Sequence, residues 1–240
     1  MMLNSADNQN TQRSSRTSHD VSRVHRPSHH SSRRKSSIKM QPTQIGNSEE
    51  LHQIVQQRKW HIIRFHLETF AGKDAICQNA NDSTLLLACK YKAPTDIILE
   101  LADLKPELLH AKDIKMGKTP LHFLCINPTF ANVAQIITRL AEQYPEAATC
   151  VDSRGMTPLH LACTAPCKSS KYVSIVDVLC IIEPTALIME NQDGETPLEV
   201  FLMSQTCKTQ KEDRYQRRAM TIMHNETAKC LLRTRKKVAQ

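Results

Sequence analysis

Histidines and cysteines carry the chemistry on offer, eleven of the first and nine of the second in 240 residues. Their spacing decides what they could do. Cys163 and Cys167 would make half of a zinc site, but no second pair follows to complete four ligands. His61 and His66 are five apart, a poor helical spacing for a shared ligand. Glu50 and His52 fall on what reads as a solvated helix face. His19, His25, His29 and His30 belong to a polar stretch where solvation outweighs weak metal binding. Nothing near Cys77 or Cys207 would lower a thiol pKa. Five glycines leave little room for a phosphate-cradling loop, and Gly-x-Ser-x-Gly, His-Glu-x-x-His and paired Cys-x-x-Cys are all absent. No catalytic residue, metal or cofactor is therefore expected. One modification site is: Arg33-Arg34-Lys35-Ser36-Ser37 has the pattern of a basophilic kinase site, and phosphate on Ser36 would add roughly −1.5 to −2 of charge. The same basic run could serve nuclear import.

Two histidines stand apart because their surroundings repeat. Gly117-Lys118-Thr119-Pro120-Leu121-His122 returns as Gly155-Met156-Thr157-Pro158-Leu159-His160 and, worn down, as Gly194-Glu195-Thr196-Pro197-Leu198-Glu199. A faint upstream copy begins at Asn81 and runs to Cys89. Each part has a physical reason. The threonine can cap a helix through its hydroxyl. The proline sits at the first helical position, where it loses nothing. The glycine admits the positive φ of a tight turn, and the leucine points into a core. Apolar helix-like runs follow at Ile97-Ile98-Leu99, Ile136-Ile137 and Ile175-Val176. Pro106, Pro145 and Pro184 then recur at a period of 39, so extra length belongs between the two helices of a unit and just after the second. Cys89, Cys125 and Cys163 share one position of the unit and read as small buried thiols in a reducing compartment.

This phrase and its period resemble the ankyrin repeat, over roughly residues 47–232. The resemblance implies an all-α solenoid of about five stacked helix-turn-helix repeats with atypical outer ones, near 48–77, 78–113, 114–151, 152–190 and 191–232. In the first, Asn47 and Glu50 make a capping box, a second helix runs from Trp60 to Phe70, and Trp60 packs. In the fifth, a polar insert spans Thr206 to Arg218, and a last helix turns Met220, Met223, Cys230 and Leu231 inward. Leu86 and Glu199 replace the phrase histidine, which puts the hairpins of repeats two and five in question.

Charge divides along the same boundaries. Residues 1–47 hold eight Lys and Arg against two Asp, a net of +6, with no aromatic residue. Such a basic, Ser-, Arg- and His-rich tail cannot bury enough apolar surface to fold, and disorder is expected. Residues 48–232 carry 20 basic and 22 acidic residues, and residues 233–240 form a basic tail with four cations. The near-neutral folded part argues against nucleic acid as its ligand, leaving a nuclear or nucleic-acid-associated adaptor that uses the tails as the alternative. The polar start, Met1 to Asn10, leads one to expect no secretory leader, and no apolar run is long enough for membrane insertion. A monomer is expected, in the cytoplasm, with the nucleus as the alternative.

The resemblance also implies a role: a non-catalytic scaffold or adaptor that binds a protein or peptide on its concave face. Carried onto this chain, the hairpin tips supply Lys115, Met116 and Lys118, then Ser153, Arg154 and Met156, then Gln192, Asp193 and Glu195. The first-helix ends supply Lys90, Tyr91, Ile126 and Asn127, with Thr164, Ala165, Met203 and Ser204. The set grades from basic to acidic, so the expected ligand has an acidic stretch.

Overall fold

Proline ends the second helix of each central unit. Lys105, Tyr144 and Glu183 precede Pro106, Pro145 and Pro184, and each is driven out of the helical region to φ near −140°. Each proline then opens a 3₁₀ turn, Pro106–His110, Pro145–Ala148 and Pro184–Ile188. These turns are more than spacers. Leu108 and Leu109, Ala147 and Ala148, and Ala186 and Leu187 are buried at the same two positions of each turn, 39 residues apart.

The computed structural model describes residues 45–127, 132–164, 169–204 and 210–238, all within one unit spanning residues 41–240. The described residues form eleven α-helices and no strand. They are α1 (Ser48–Gln56), α2 (Trp60–Leu67), α3 (Phe70–Asn79), α4 (Ser83–Lys90), α5 (Thr95–Leu104), α6 (Pro120–Ile126), α7 (Val133–Gln143), α8 (Pro158–Thr164), α9 (Ser170–Ile182), α10 (Pro197–Ser204) and α11 (Gln210–Val238). α1, α4, α6, α8 and α10 pack in series as one row, and α2, α5, α7, α9 and α11 as a second. The fold is a helical solenoid of two such rows. Its core is Leu, Ile, Ala and Cys: Leu85, Leu121 and Leu159 are buried at one repeat position, and Cys89, Cys125 and Cys163 at another. Burying one leucine contributes about 1.5–3 kcal/mol. Burial also pushes the Cys89 and Cys125 thiols far up, which keeps them inert.

The ends differ from what the sequence leads one to expect. Residues 1–44, with Ser36 and the four tail histidines, lie outside the described residues. Order begins before residue 48, because Ile45 is buried in the core. Asn47 Oδ1 accepts the Glu50 N–H at 2.8 Å, while the Glu50 carboxylate reaches back to the Gly46 N–H at 2.8 Å. The second helix stops at Leu67 rather than Phe70, and α3 follows at once. Thr69 caps α3 by accepting the Gly72 N–H at 3.1 Å. Only glycine closes this corner, since a Cβ on residue 72 would lie 2.2 Å from the His66 carbonyl oxygen.

At the other end, Gln210–Arg218 is helix, not insert, and residues 205–209 lie outside the described set. α11 turns Ala219, Met223 and Cys230 inward and leaves Met220 and Leu231 exposed. Met223 and Cys230 of the expected inner stripe are thus buried, whereas Met220 and Leu231 are not, and Ala219 takes the first place. The helix also continues through Arg233 to Val238, where a fraying tail was expected.

Candidate functional site

Three hairpins connect the repeats, and each is built on an acid or amide at its base. Asp152 Oδ1 accepts the N–H groups of Arg154 (2.8 Å) and Met156 (3.0 Å). Asn191 Oδ1 accepts those of Asp193 and Glu195, both at 2.9 Å. Asp113 Oδ2 accepts the Met116 N–H at 2.9 Å. Backbone bonds close the turns, from Asp113 to Lys118, Asp152 to Met156 and Asn191 to Glu195. Sequence reading passed over Asp113, Asp152 and Asn191, although they recur at 39 residues. Gly155 has φ +72°, and a Cβ there would lie 2.9 Å from the Gln192 nitrogen, so it needs glycine twice over. Gly117 and Gly194 also have positive φ.

The hairpins are tied to one another through backbone. Ser153 N–H donates to the Met116 carbonyl (2.8 Å) and Gln192 N–H to the Arg154 carbonyl (3.0 Å). The phrase histidines add a second tie. His122 Nδ1 accepts the Thr119 N–H at 3.1 Å, so its ring proton is on Nε2, which donates to the Met156 carbonyl at 3.0 Å. His160 repeats this with Thr157 (3.2 Å) and the Glu195 carbonyl (3.0 Å). Burial pushes His122 down to about 4, against the helping contacts of the Met156 carbonyl and Asp152. Burial also lowers His160. Glu199 copies half of the device. Its carboxylate accepts the Thr196 N–H (2.7 Å) and hydroxyl (2.6 Å), which hold its pKa down, but it makes no tie to another hairpin. Thr196, Pro197 and Leu198 thus still start α10. In repeat two the turn has no left-handed residue. Asn81 caps Ser83 instead, and its amide donates to Ser48 Oγ at 2.9 Å.

The expected contact residues fall into three groups. Lys90, Lys115, Ile126, Ser153, Arg154, Gln192 and Asp193 are exposed, as are Thr164 and Met203. Tyr91, Met116, Lys118, Asn127, Glu195 and Ser204 are half-buried. Met156 is buried, 5% exposed, and this corrects its place among the contact residues. Its carbonyl holds His122, and its sulfur accepts from the Asn191 amide at 3.4 Å, so it belongs to the stack. Ala165 lies outside the described residues. Lys118 is drawn in toward the buried Asp152 carboxylate (3.8 Å), which Arg154 approaches from outside (3.9 Å). Lys90 Nζ lies 5.8 Å from the Phe123 ring centroid. The first hairpin has one residue more than the others between its base and its glycine, and Ile114 there is fully exposed. Beside it a cleft of about 620 Å³ is floored by Leu86 and Leu87 and flanked by His52 and Lys115.

A family model, ankyrin repeat, matches residues 154–183, the span that opens on the most complete phrase. The chain carries an ankyrin repeat there. No curated protein matches the chain. Ankyrin repeats are in general protein–protein interaction modules and typically non-catalytic. Among the described residues no helix is long and apolar enough to cross a membrane, and no group of three His, Cys, Asp or Glu is placed to hold a metal ion. Cys163 of this ankyrin repeat packs against the Met223 sulfur at 3.8 Å, and Cys167 lies outside the described residues.

Proposed function

We propose that this protein is a non-catalytic adaptor that binds a protein or peptide along the row of hairpin tips and first-helix ends, and that the ligand carries an acidic stretch. The observation that carries the reading is the hairpin ladder. Backbone bonds fix Met116, Ser153, Arg154 and Gln192 in register, so the exposed side chains of Lys115, Arg154 and Asp193 stand in one row at fixed intervals. Lys90 and Lys115 pair with no described carboxylate, while Lys118 and Arg154 are partly neutralised by Asp152. An acidic ligand is thus drawn toward repeats two and three first. Exposed Ile114 and Ile126 supply apolar contact between the charges.

The test uses the full chain and an array of peptides with acidic runs, each paired with a charge-scrambled control. Lys90→Glu, Lys115→Glu and Arg154→Glu together should slow association at low salt and leave little difference at high salt. Lys118 is left alone because a carboxylate there would face buried Asp152. Unchanged binding in the triple variant, with an unchanged melt, would remove the hairpin row from the function. Binding of a duplex oligonucleotide instead, lost on deleting residues 1–44, would move the function to the basic tail.

A further inference from the structure

We propose that the outward face of α10 and α11 is a second docking site, which takes an acidic amphipathic helix of a partner protein. α11 has two distinct faces, about 110° apart around its axis. Ala219, Met223 and Cys230 are buried on one. At about 3.6 residues per turn, Met220, His224, Leu231 and Arg235 line up on the other. Met220 and Leu231 are both more than a third exposed there, and Leu232, the next residue round the helix, is exposed too. Between this stripe and α10 runs a groove of about 370 Å³, with Leu198, Leu202 and Met220 as its apolar lining and His224 and Asn225 among its polar residues. Leu202 is 54% exposed and Met203 76%. Among the described residues nothing covers this face, and Glu199, lacking the histidine's donor, ties no hairpin onto it.

Charge selects the occupant. The sequence of α11 holds nine Lys and Arg against three Asp and Glu. Asp213 pairs with Arg217, and Glu226 pairs with Lys229. Arg218, Arg233, Arg235 and Lys236 are left without a described carboxylate. A second copy on this face would set two such helices against each other, like charge against like. A flat anionic bilayer could meet the cations but could not enter a groove. A nucleic-acid backbone would gain nothing from its leucines. A helix with leucines on one face and glutamates flanking them satisfies both features, since its apolar side chains fill the groove while its carboxylates meet Arg218, Arg235 and Lys236.

The probe is a synthetic helical peptide with leucine at i, i+3, i+4 and i+7 and glutamate elsewhere, titrated into the full chain. A counterpart with lysine for glutamate, phosphatidylserine vesicles and a duplex oligonucleotide are run beside it. The acidic peptide should bind, and the lysine peptide should bind weaker by about tenfold or more. Leu202→Glu and Met220→Glu should each weaken the acidic peptide by about tenfold, the loss typical of a central apolar anchor. Arg235→Glu with Lys236→Glu should weaken it mainly at low salt. The Lys90, Lys115 and Arg154 changes should leave the weakening caused by Leu202→Glu unaltered, which separates this site from the hairpin row. Equal affinity for the two peptides, or full binding by Leu202→Glu, overturns the proposal. So does capture of vesicles or duplex without peptide, or self-association abolished by Leu202→Glu. Leu202→Gln repeats the measurement if the charged variant lowers the melting temperature.

Discussion

An imidazole that accepts at Nδ1 and donates at Nε2 has no room for a second proton. His122 is in that position, between the Thr119 N–H and the Met156 carbonyl. Its value falls from the ordinary 6.5 to about 4, with burial as the leading cause. In the unfolded chain the ring protonates near 6.5, while the folded ring resists until about 4. The stability His122 contributes is therefore complete above 6.5, is lost as pH falls to about 4, and changes no further below that. His160 moves in the same direction. Thermal melts stepped across this window should show a steeper fall for the native chain than for His122→Gln, which starts lower but slopes less. Parallel slopes would mean that the folded ring takes up the proton freely. The sequence phrase pointed to these histidines because threonine, proline, leucine and histidine recur together. The family resemblance implies that these histidines bond backbone near the turn and tie neighbouring repeats, as they do; which carbonyls they hold was not legible, since a carbonyl leaves no mark on the sequence.

Helix α11 contains two regimes along one rod. Up to Cys230 it rests on α9 and the Pro184–Ile188 turn, with Ala219, Met223 and Cys230 buried. From Leu231 to Lys236 every side chain is exposed. Isolated helical turns are marginal without packing, so amides beyond Leu231 should exchange much faster than those between Ile222 and Cys230. Hydrogen exchange read residue by residue checks this, and equal protection along the rod would show that the last turns are held. Elements were legible where a start signal was strong. Thr-Pro marked α6, α8 and α10, and Asn47 with Glu50 marked α1. α3 was not legible, because Phe70-Ala71-Gly72-Lys73 carries neither a clear apolar stripe nor a strong helix former at its glycine. The inner stripe of α11 was legible only in part because Met220 and Leu231 are apolar yet face outward, and only packing against α9 separates them from Met223 and Cys230. The 3₁₀ turns were visible as prolines, but their buried pairs change identity between Leu and Ala and so hid the repeat.

At the scale of the molecule, the stack depends on contacts between neighbours, so a defect in the middle costs more than one at the end. Leu159 is fully buried between α6 and α10, whereas Leu198 at the equivalent position is half-buried. Leu159→Ala should cost about 2–5 kcal/mol through lost burial and a residual cavity, a large share of the roughly 5–15 kcal/mol of a typical domain. Leu198→Ala should cost clearly less. Urea titration of both variants measures the difference, and equal losses would mean that the solenoid is no more tightly packed at its centre than at its end.

The histidine ties carry a consequence for how such a chain can change length. His122 addresses the carbonyl after Gly155 and His160 the carbonyl after Gly194, and those carbonyls belong to a methionine and a glutamate. Any residue offers the same oxygen. The joint therefore recognises register and is indifferent to side-chain identity. A recombination event that copies or removes one whole unit, from glycine to glycine, would leave every histidine facing a carbonyl it can hold. One that shifts the frame by a few residues would leave a buried ring with nothing to donate to. On this geometry, adding or removing whole repeats is the change of length that keeps every joint made.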